Sequence, residues 1–90
     1  MRMYPYAPGQ QEGSILSDIK IGNYYVSVLD GSRMVLALGP FVNNHFQALE
    51  HVNAVNDYVS KHDPKGHFYA YGTVRMTTNR PGKLNSVIPH

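Results

Sequence analysis

The hydrophobic positions of this 90-residue chain change period twice. Between Asn23 and Leu29, Tyr24, Val26 and Val28 alternate with Tyr25, Ser27 and Leu29. That is the period-two spacing of a strand, carried by β-branched and aromatic residues. A second apolar run, Arg33 to Phe41, follows Asp30-Gly31-Ser32, and Asp-Gly between two such runs predicts a hairpin. A three-residue turn is the preferred reading. It sets Tyr24, Val26 and Val28 on the face of Met34, Leu36 and Leu38 and makes that face uniformly apolar. A two-residue turn sets Tyr25, Ser27 and Leu29 there instead, because a slip of one residue turns every side chain over. Gly39-Pro40 is expected to end the second strand, since proline cannot extend a central ladder.

From His45 to about Lys61 the period becomes helical. Phe46, Leu49, Val52, Val55 and Val59 form a stripe flanked by Ala48 and Tyr58, while Gln47, Glu50, Asn53, Asn56 and Asp57 lie off it. Asn44 and Gln47 stand at capping-box spacing. The pattern predicts one amphipathic helix of about four turns, stopped at His62-Asp63-Pro64 because Pro64 disfavours helical backbone at Asp63. Period two returns in "KGHFYAYGTVRM", Lys65 to Met76. Phe68, Ala70, Gly72, Val74 and Met76 form one set and are expected to rest on the helix. His67, Tyr69, Tyr71, Thr73 and Arg75 form the other and are expected to face water or a partner.

The predicted fold is α+β, ββαβ, a small and mainly antiparallel sheet covered on one face by a single amphipathic helix. "ILSDIKI", 15–21, is a further strand candidate that would make it βββαβ. Residues 1–14 read as a flexible arm punctuated by Pro5, Pro8, Gly9 and Gly13, with Tyr4 and Tyr6 able to dock on the domain or on a partner. The domain proper is expected over 15–78. Residues 79–90 read as a polar tail with a small apolar patch at Val87-Ile88. A thin sheet of this kind leaves one face and its edges uncovered, and a homodimer formed there would relieve both.

Composition narrows the function. Hydrophobic residues are 42% and charged residues only 16%, with seven Tyr and no Trp, a balance that favours a contact surface. The net charge of +2 and the pI near 9.0 permit an anionic partner without requiring one, because the basic residues are scattered. With no Cys the chain has no disulfide, no thiol nucleophile and no Cys-based zinc site. No run reaches the length of a membrane span, and the N-terminus lacks the apolar run of a signal peptide. A cytoplasmic protein without membrane contact is expected.

Candidate chemistry is sparse. None of His45, His51, His62, His67 and His90 has a histidine four residues away, the spacing that puts two metal ligands on one helix face. His62, Asp63 and His67 cluster in sequence, but a polar helix exit is the preferred reading over a metal site. Ser60, His62 and Asp63 contain the residue types of a hydrolase triad, yet triads are made by spatial geometry. No nucleophile elbow, phosphate-cradling loop or dinucleotide fingerprint is present. A catalytic role and a cofactor are not expected. The partner-binding candidates are Tyr25, Arg33, His67, Tyr69, Tyr71 and Arg75, expected together on the sheet face away from the helix. Tyr and Arg dominate protein interfaces, so a protein partner is the first reading. The same aromatics and guanidinium groups could stack and hold single-stranded or duplex nucleic acid, which is the alternative.

Tyr24–Arg75 resembles a family of small bacteriophage and prophage proteins. The shared features are "YYVSV-x-DG" at Tyr24–Gly31, "L-x-x-GPF" at Leu36–Phe41, an "EAL"-like helix start at Gln47–Leu49 and "DP…FYAYGT" at Asp63–Thr73. The resemblance implies a phage-encoded accessory protein acting inside a bacterium on replication, transcription or defence machinery. "LGPFVNNHFQALEHV" is also similar to the strand-to-helix step of peptidoglycan-binding SPOR domains. The three strands and one helix resemble the DNA-binding AP2 and integrase arm-binding domains.

Overall fold

A computed structural model of the chain describes residues 20–90. The arm at 1–14 and most of the strand candidate at 15–21 lie outside the described residues. Strand β1 (Asn23–Asp30) and strand β2 (Arg33–Val42) form the hairpin. Helices α1 (His45–Glu50) and α2 (Val52–His62) follow, then a single 3-10 turn at Gly66–Phe68 and strand β3 (Ala70–Met76). The sheet is antiparallel, with order β2-β1-β3. This is the expected ββαβ architecture, with the central strand first in sequence.

The hairpin closes on two residues rather than the preferred three. Asp30 pairs with Arg33, leaving Gly31 and Ser32 as the turn. Gly31 takes φ 63°, a conformation glycine adopts without steric cost. The two-residue register, with Leu29 opposite Met34 and Ser27 opposite Leu36, then lasts only as far as Leu36. Two irregularities in β2 shift the pairing, so that Val26 meets Leu38 and Tyr24 meets Phe41. Each inserts an extra residue and rephases β2. The helix-facing face of the hairpin is consequently Tyr24, Val26 and Val28 against Phe41, Leu38 and Val35. It combines parts of both expected registers.

Pro40 does not end the strand. The Gly39-Pro40 bond is cis, Gly39 adopts φ 136°, and β2 continues to Val42. A β-carbon on Gly39 would lie 2.8 Å from the Tyr24 carbonyl oxygen, so the bulge needs glycine. β2 is an edge strand, where proline costs no central ladder bond.

The helix forms in two pieces. Asn44 caps α1 as expected, its Oδ1 accepting the Gln47 N–H at 3.0 Å. The helix then bends at His51, which has φ −101° and ψ 1°. The Nδ1 of His51 lies 2.8 Å from the Gln47 carbonyl oxygen. Ala48, Val52 and Val55 reach the core with Tyr24, Val26, Leu38 and Phe41.

Residues 79–90 are not a tail. They form a strap along the outer edge of β2. The N–H groups of Gly82, Lys83 and Leu84 donate to the carbonyls of Gly39, Leu36 and Ala37 at 3.0, 2.9 and 2.7 Å. Asn85 brackets Gly39: its Oδ1 accepts the Gly39 N–H at 2.9 Å, and its Nδ2 donates back to the Gly39 carbonyl. Ile88 then enters the core. The strap satisfies a strand edge that would otherwise expose backbone donors and acceptors.

Candidate functional site

The proposed facing of β3 is reversed. Val28 pairs with Tyr71 and Val26 with Thr73 across β1 and β3. Directly paired residues share a face, and Val26 and Val28 belong to the core beneath the helix. Tyr69 and Tyr71 therefore pack against that core, while Ala70, Gly72, Val74 and Met76 take the other face. The physical reason lies in the amphipathic tyrosine ring, whose apolar body suits the helix interface provided the hydroxyl finds a partner. Both hydroxyls do. Tyr69 donates to Asp63 Oδ2 at 2.8 Å, and Tyr71 donates to the Gly66 carbonyl at 2.7 Å.

The remaining candidates separate to the two ends of the domain. Tyr25 lies on the face away from the helix but is 0% exposed, because the start of the strap crosses it. Its hydroxyl lies 2.6 Å from the Arg80 carbonyl and 3.2 Å from that of Thr78. Burial raises its pKa above the usual 10.0, partly opposed by the Arg80 charge. Arg75, exposed at the opposite end from the hairpin turn, donates from Nη1 to the Ile21 carbonyl at 3.2 Å. The six candidates do not form one Tyr/Arg face, and the centre of the second sheet face is closed, with Ser27 at 0% exposure.

Two of the six meet at the hairpin end: Arg33 and Tyr69 line a concavity of about 230 Å³ between sheet, helix and strap. His67 is exposed, two residues before Tyr69. The floor is aliphatic, from Val28, Val35, Val59 and Leu84, and the rim carries Asp30 and Asp63 as well as Arg33 and Lys83. Both signs of charge thus surround an apolar hollow.

The loop next to it is tightly built. Asp63 Oδ1 accepts the Lys65 N–H at 2.9 Å while Oδ2 takes the Tyr69 hydroxyl. These two bonds, that from Lys65 first, hold the Asp63 carboxyl below its ordinary 3.8. The same carboxylate raises Tyr69 above 10.0, chiefly through the hydrogen bond. Gly66 lies flat on α2; a β-carbon there would stand 2.7 Å from Ser60 Cα and from the Val59 carbonyl oxygen. The fixed loop nevertheless leaves Phe68 87% exposed. Sequence reasoning missed Phe68 because it was assigned to the strand's apolar set. The signal was Lys65-Gly66 just ahead of it, which starts a 3-10 turn and delays the strand to Ala70.

The metal and triad patterns are not assembled. His62 turns its Nδ1 toward the Tyr58 carbonyl at 2.9 Å and stacks on the Tyr58 ring. Ser60 Oγ bonds Asn56 Oδ1 at 3.0 Å. Among the described residues, no group of three His, Cys, Asp or Glu is placed to hold a metal ion, and no helix is long and apolar enough to cross a membrane. Comparison with family models, with curated proteins and with solved structures returned no match.

Proposed function

We propose that this chain is a non-catalytic binding module that engages a protein partner through its hairpin end. The observation that carries this reading is Phe68, almost fully exposed on a loop fixed by Asp63, Tyr69 and Gly66, one residue before Tyr69, which with Asp63 lines an aliphatic hollow with a charged rim. Exposing a large aromatic side chain is unfavourable in water, and a rigid presentation lowers the ordering cost of association. An aromatic anchor beside a pocket that can accept a partner's side chain is the usual composition of an interface hot spot. Lys65 and His67, both exposed, would form its polar rim. The likeness of Tyr24–Arg75 to small phage and prophage proteins supports a partner among bacterial or phage machinery, such as that of replication, transcription or defence.

The test is quantitative affinity capture from bacterial lysate with three immobilised proteins: wild type, Phe68→Ala and Arg75→Ala. The expected result is a partner recovered by wild type and by Arg75→Ala at the far end, and lost with Phe68→Ala. Equal recovery by all three would reject the hairpin end. Sedimentation of the same proteins distinguishes a second copy as the partner: a dimer dispersed by Phe68→Ala would assign this end to self-association.

A further inference from the structure

A second concavity, of about 420 Å³, lies between β2, the strap and Met76. Met34, Leu36 and Met76 line it together with Arg33, Arg80 and Lys83. The three cationic residues are exposed, and no carboxylate is among the described residues that line the hollow. The strap builds this arrangement. The Arg80 carbonyl accepts the Tyr25 hydroxyl at 2.6 Å, and the Lys83 N–H is fixed to the Leu36 carbonyl at 2.9 Å. Two cations from the strap are thereby set on anchored backbone opposite Arg33, the first residue of β2. Like charges around one concave surface focus a positive potential there.

We propose that this groove binds an acidic peptide segment of a partner protein, one in which carboxylates alternate with aliphatic side chains. The carboxylates would meet the guanidinium forks of Arg33 and Arg80, which suit bidentate pairing. The aliphatic side chains would lie on Met34, Leu36 and Met76, and methionine reshapes readily around different apolar groups. The floor has no aromatic ring among its described lining residues, so it offers nothing on which a nucleic-acid base would stack. The groove adjoins the hairpin-end hollow: Arg33, Val35 and Lys83 border both, whereas Met34, Leu36, Met76, Arg80 and Pro81 border only this groove.

The test uses the full chain and fluorescence anisotropy with three labelled probes: a peptide of alternating Glu and Leu, its Gln-for-Glu counterpart, and oligothymidylate. The Glu peptide is expected to bind at least about tenfold more tightly than the Gln peptide and to weaken with added salt. Arg80→Glu and, independently, Met34→Asp should each weaken it by about tenfold or more, while Lys61→Glu, the same charge change on α2, should leave it within about twofold. Phe68→Ala should not alter it, which separates this groove from the hairpin-end site. Circular dichroism and melting of each variant show that the fold is intact, and Arg80→Gln gives the charge effect without reversal. Absence of binding by wild type, equal binding of the Glu and Gln peptides, equal effects of Arg80→Glu and Lys61→Glu, or tighter binding of oligothymidylate would overturn the proposal.

Discussion

The hydroxyl of Tyr69 donates to Asp63 Oδ2 at 2.8 Å and thereby joins the first residue past α2 to the residue just before β3. The bond ties off the loop that presents Phe68. It also couples the loop to pH in two directions. The Asp63 carboxyl is held below 3.8, first by the Lys65 N–H and then by Tyr69. A depressed carboxyl contributes stability that is present above its unfolded pKa and is lost as pH falls through the folded value. Tyr69 is raised above 10.0, so its contribution is present below that value and is lost as pH rises through the folded one. Tyr69→Phe should move the Asp63 midpoint upward toward 3.8 without reaching it, because the Lys65 bond remains. Carboxyl NMR titration of wild type and variant measures this directly. An unchanged Asp63 midpoint would show that the hydroxyl does not engage the carboxylate in solution.

The element order was legible in the sequence because each element carries its own period. The hairpin, the helix with its Asn44 cap, and the closing strand follow from Tyr24–Leu29, Phe46–Val59 and Ala70–Met76. Facing was legible in β1, where Tyr24, Val26 and Val28 turn inward as expected, but not in β2 or β3. In β2 the partners of the inward-facing residues of β1 are Val35, Leu38 and Phe41, three residues apart, a spacing produced by extra residues that no strand period contains. In β3, polarity suggested that Phe68, Ala70, Gly72, Val74 and Met76 lie inward and the tyrosines outward, yet hydroxyl partners at Asp63 and Gly66 decide the opposite. The strap was hidden because most of its anchoring is backbone to backbone; such bonds leave no trace in side-chain pattern, and Ile88 alone marked it.

That strap gives a prediction about stability. Ile88 is buried in the main core, so Ile88→Ala should cost about 2–5 kcal/mol, the range for truncating a buried aliphatic side chain. Gly82→Ala should act through the backbone. Its β-carbon would stand 2.7 Å from the Ala37 carbonyl and Leu38 Cα, forcing the strap off β2 at a cost of about 1–3 kcal/mol. Urea unfolding of both variants tests this. Melting indistinguishable from wild type would return 79–90 to the status of a tail.

A second pH effect arises at the other end of the helix. The Nε2 of His45 lies 3.1 Å from Thr73 Oγ1, and its ring lies against Tyr24 with centroids 4.9 Å apart. Burial lowers its pKa below the ordinary 6.5. The contribution to stability is complete above the unfolded value and is lost as pH falls toward the folded one. Unfolding midpoints should therefore decline on acidification below about 6.5, before the carboxylates titrate. His45→Gln, which keeps a polar group near Thr73, should flatten that decline. A decline of equal size in the variant would assign it to another group.

The comparison of Phe68 with Gly66 separates presentation from stability. Phe68 makes little contact with the fold at 87% exposure, so Phe68→Ala should shift folding stability by no more than about 0.5 kcal/mol. Gly66, two residues earlier, is buried against α2. Gly66→Ala must push the chain away from Ser60 and Val59 and should cost about 1–3 kcal/mol. It should also lengthen the Tyr71 hydroxyl bond to the Gly66 carbonyl, now 2.7 Å, and raise amide exchange from Lys65 to Tyr69. The binding consequences are expected to converge although the stabilities diverge: Phe68→Ala removes the anchor from an intact loop, and Gly66→Ala leaves the anchor on a loosened one. Partner capture retained by Gly66→Ala at wild-type strength, with exchange in the loop accelerated, would mean that rigidity of the loop is not what makes Phe68 a binding residue.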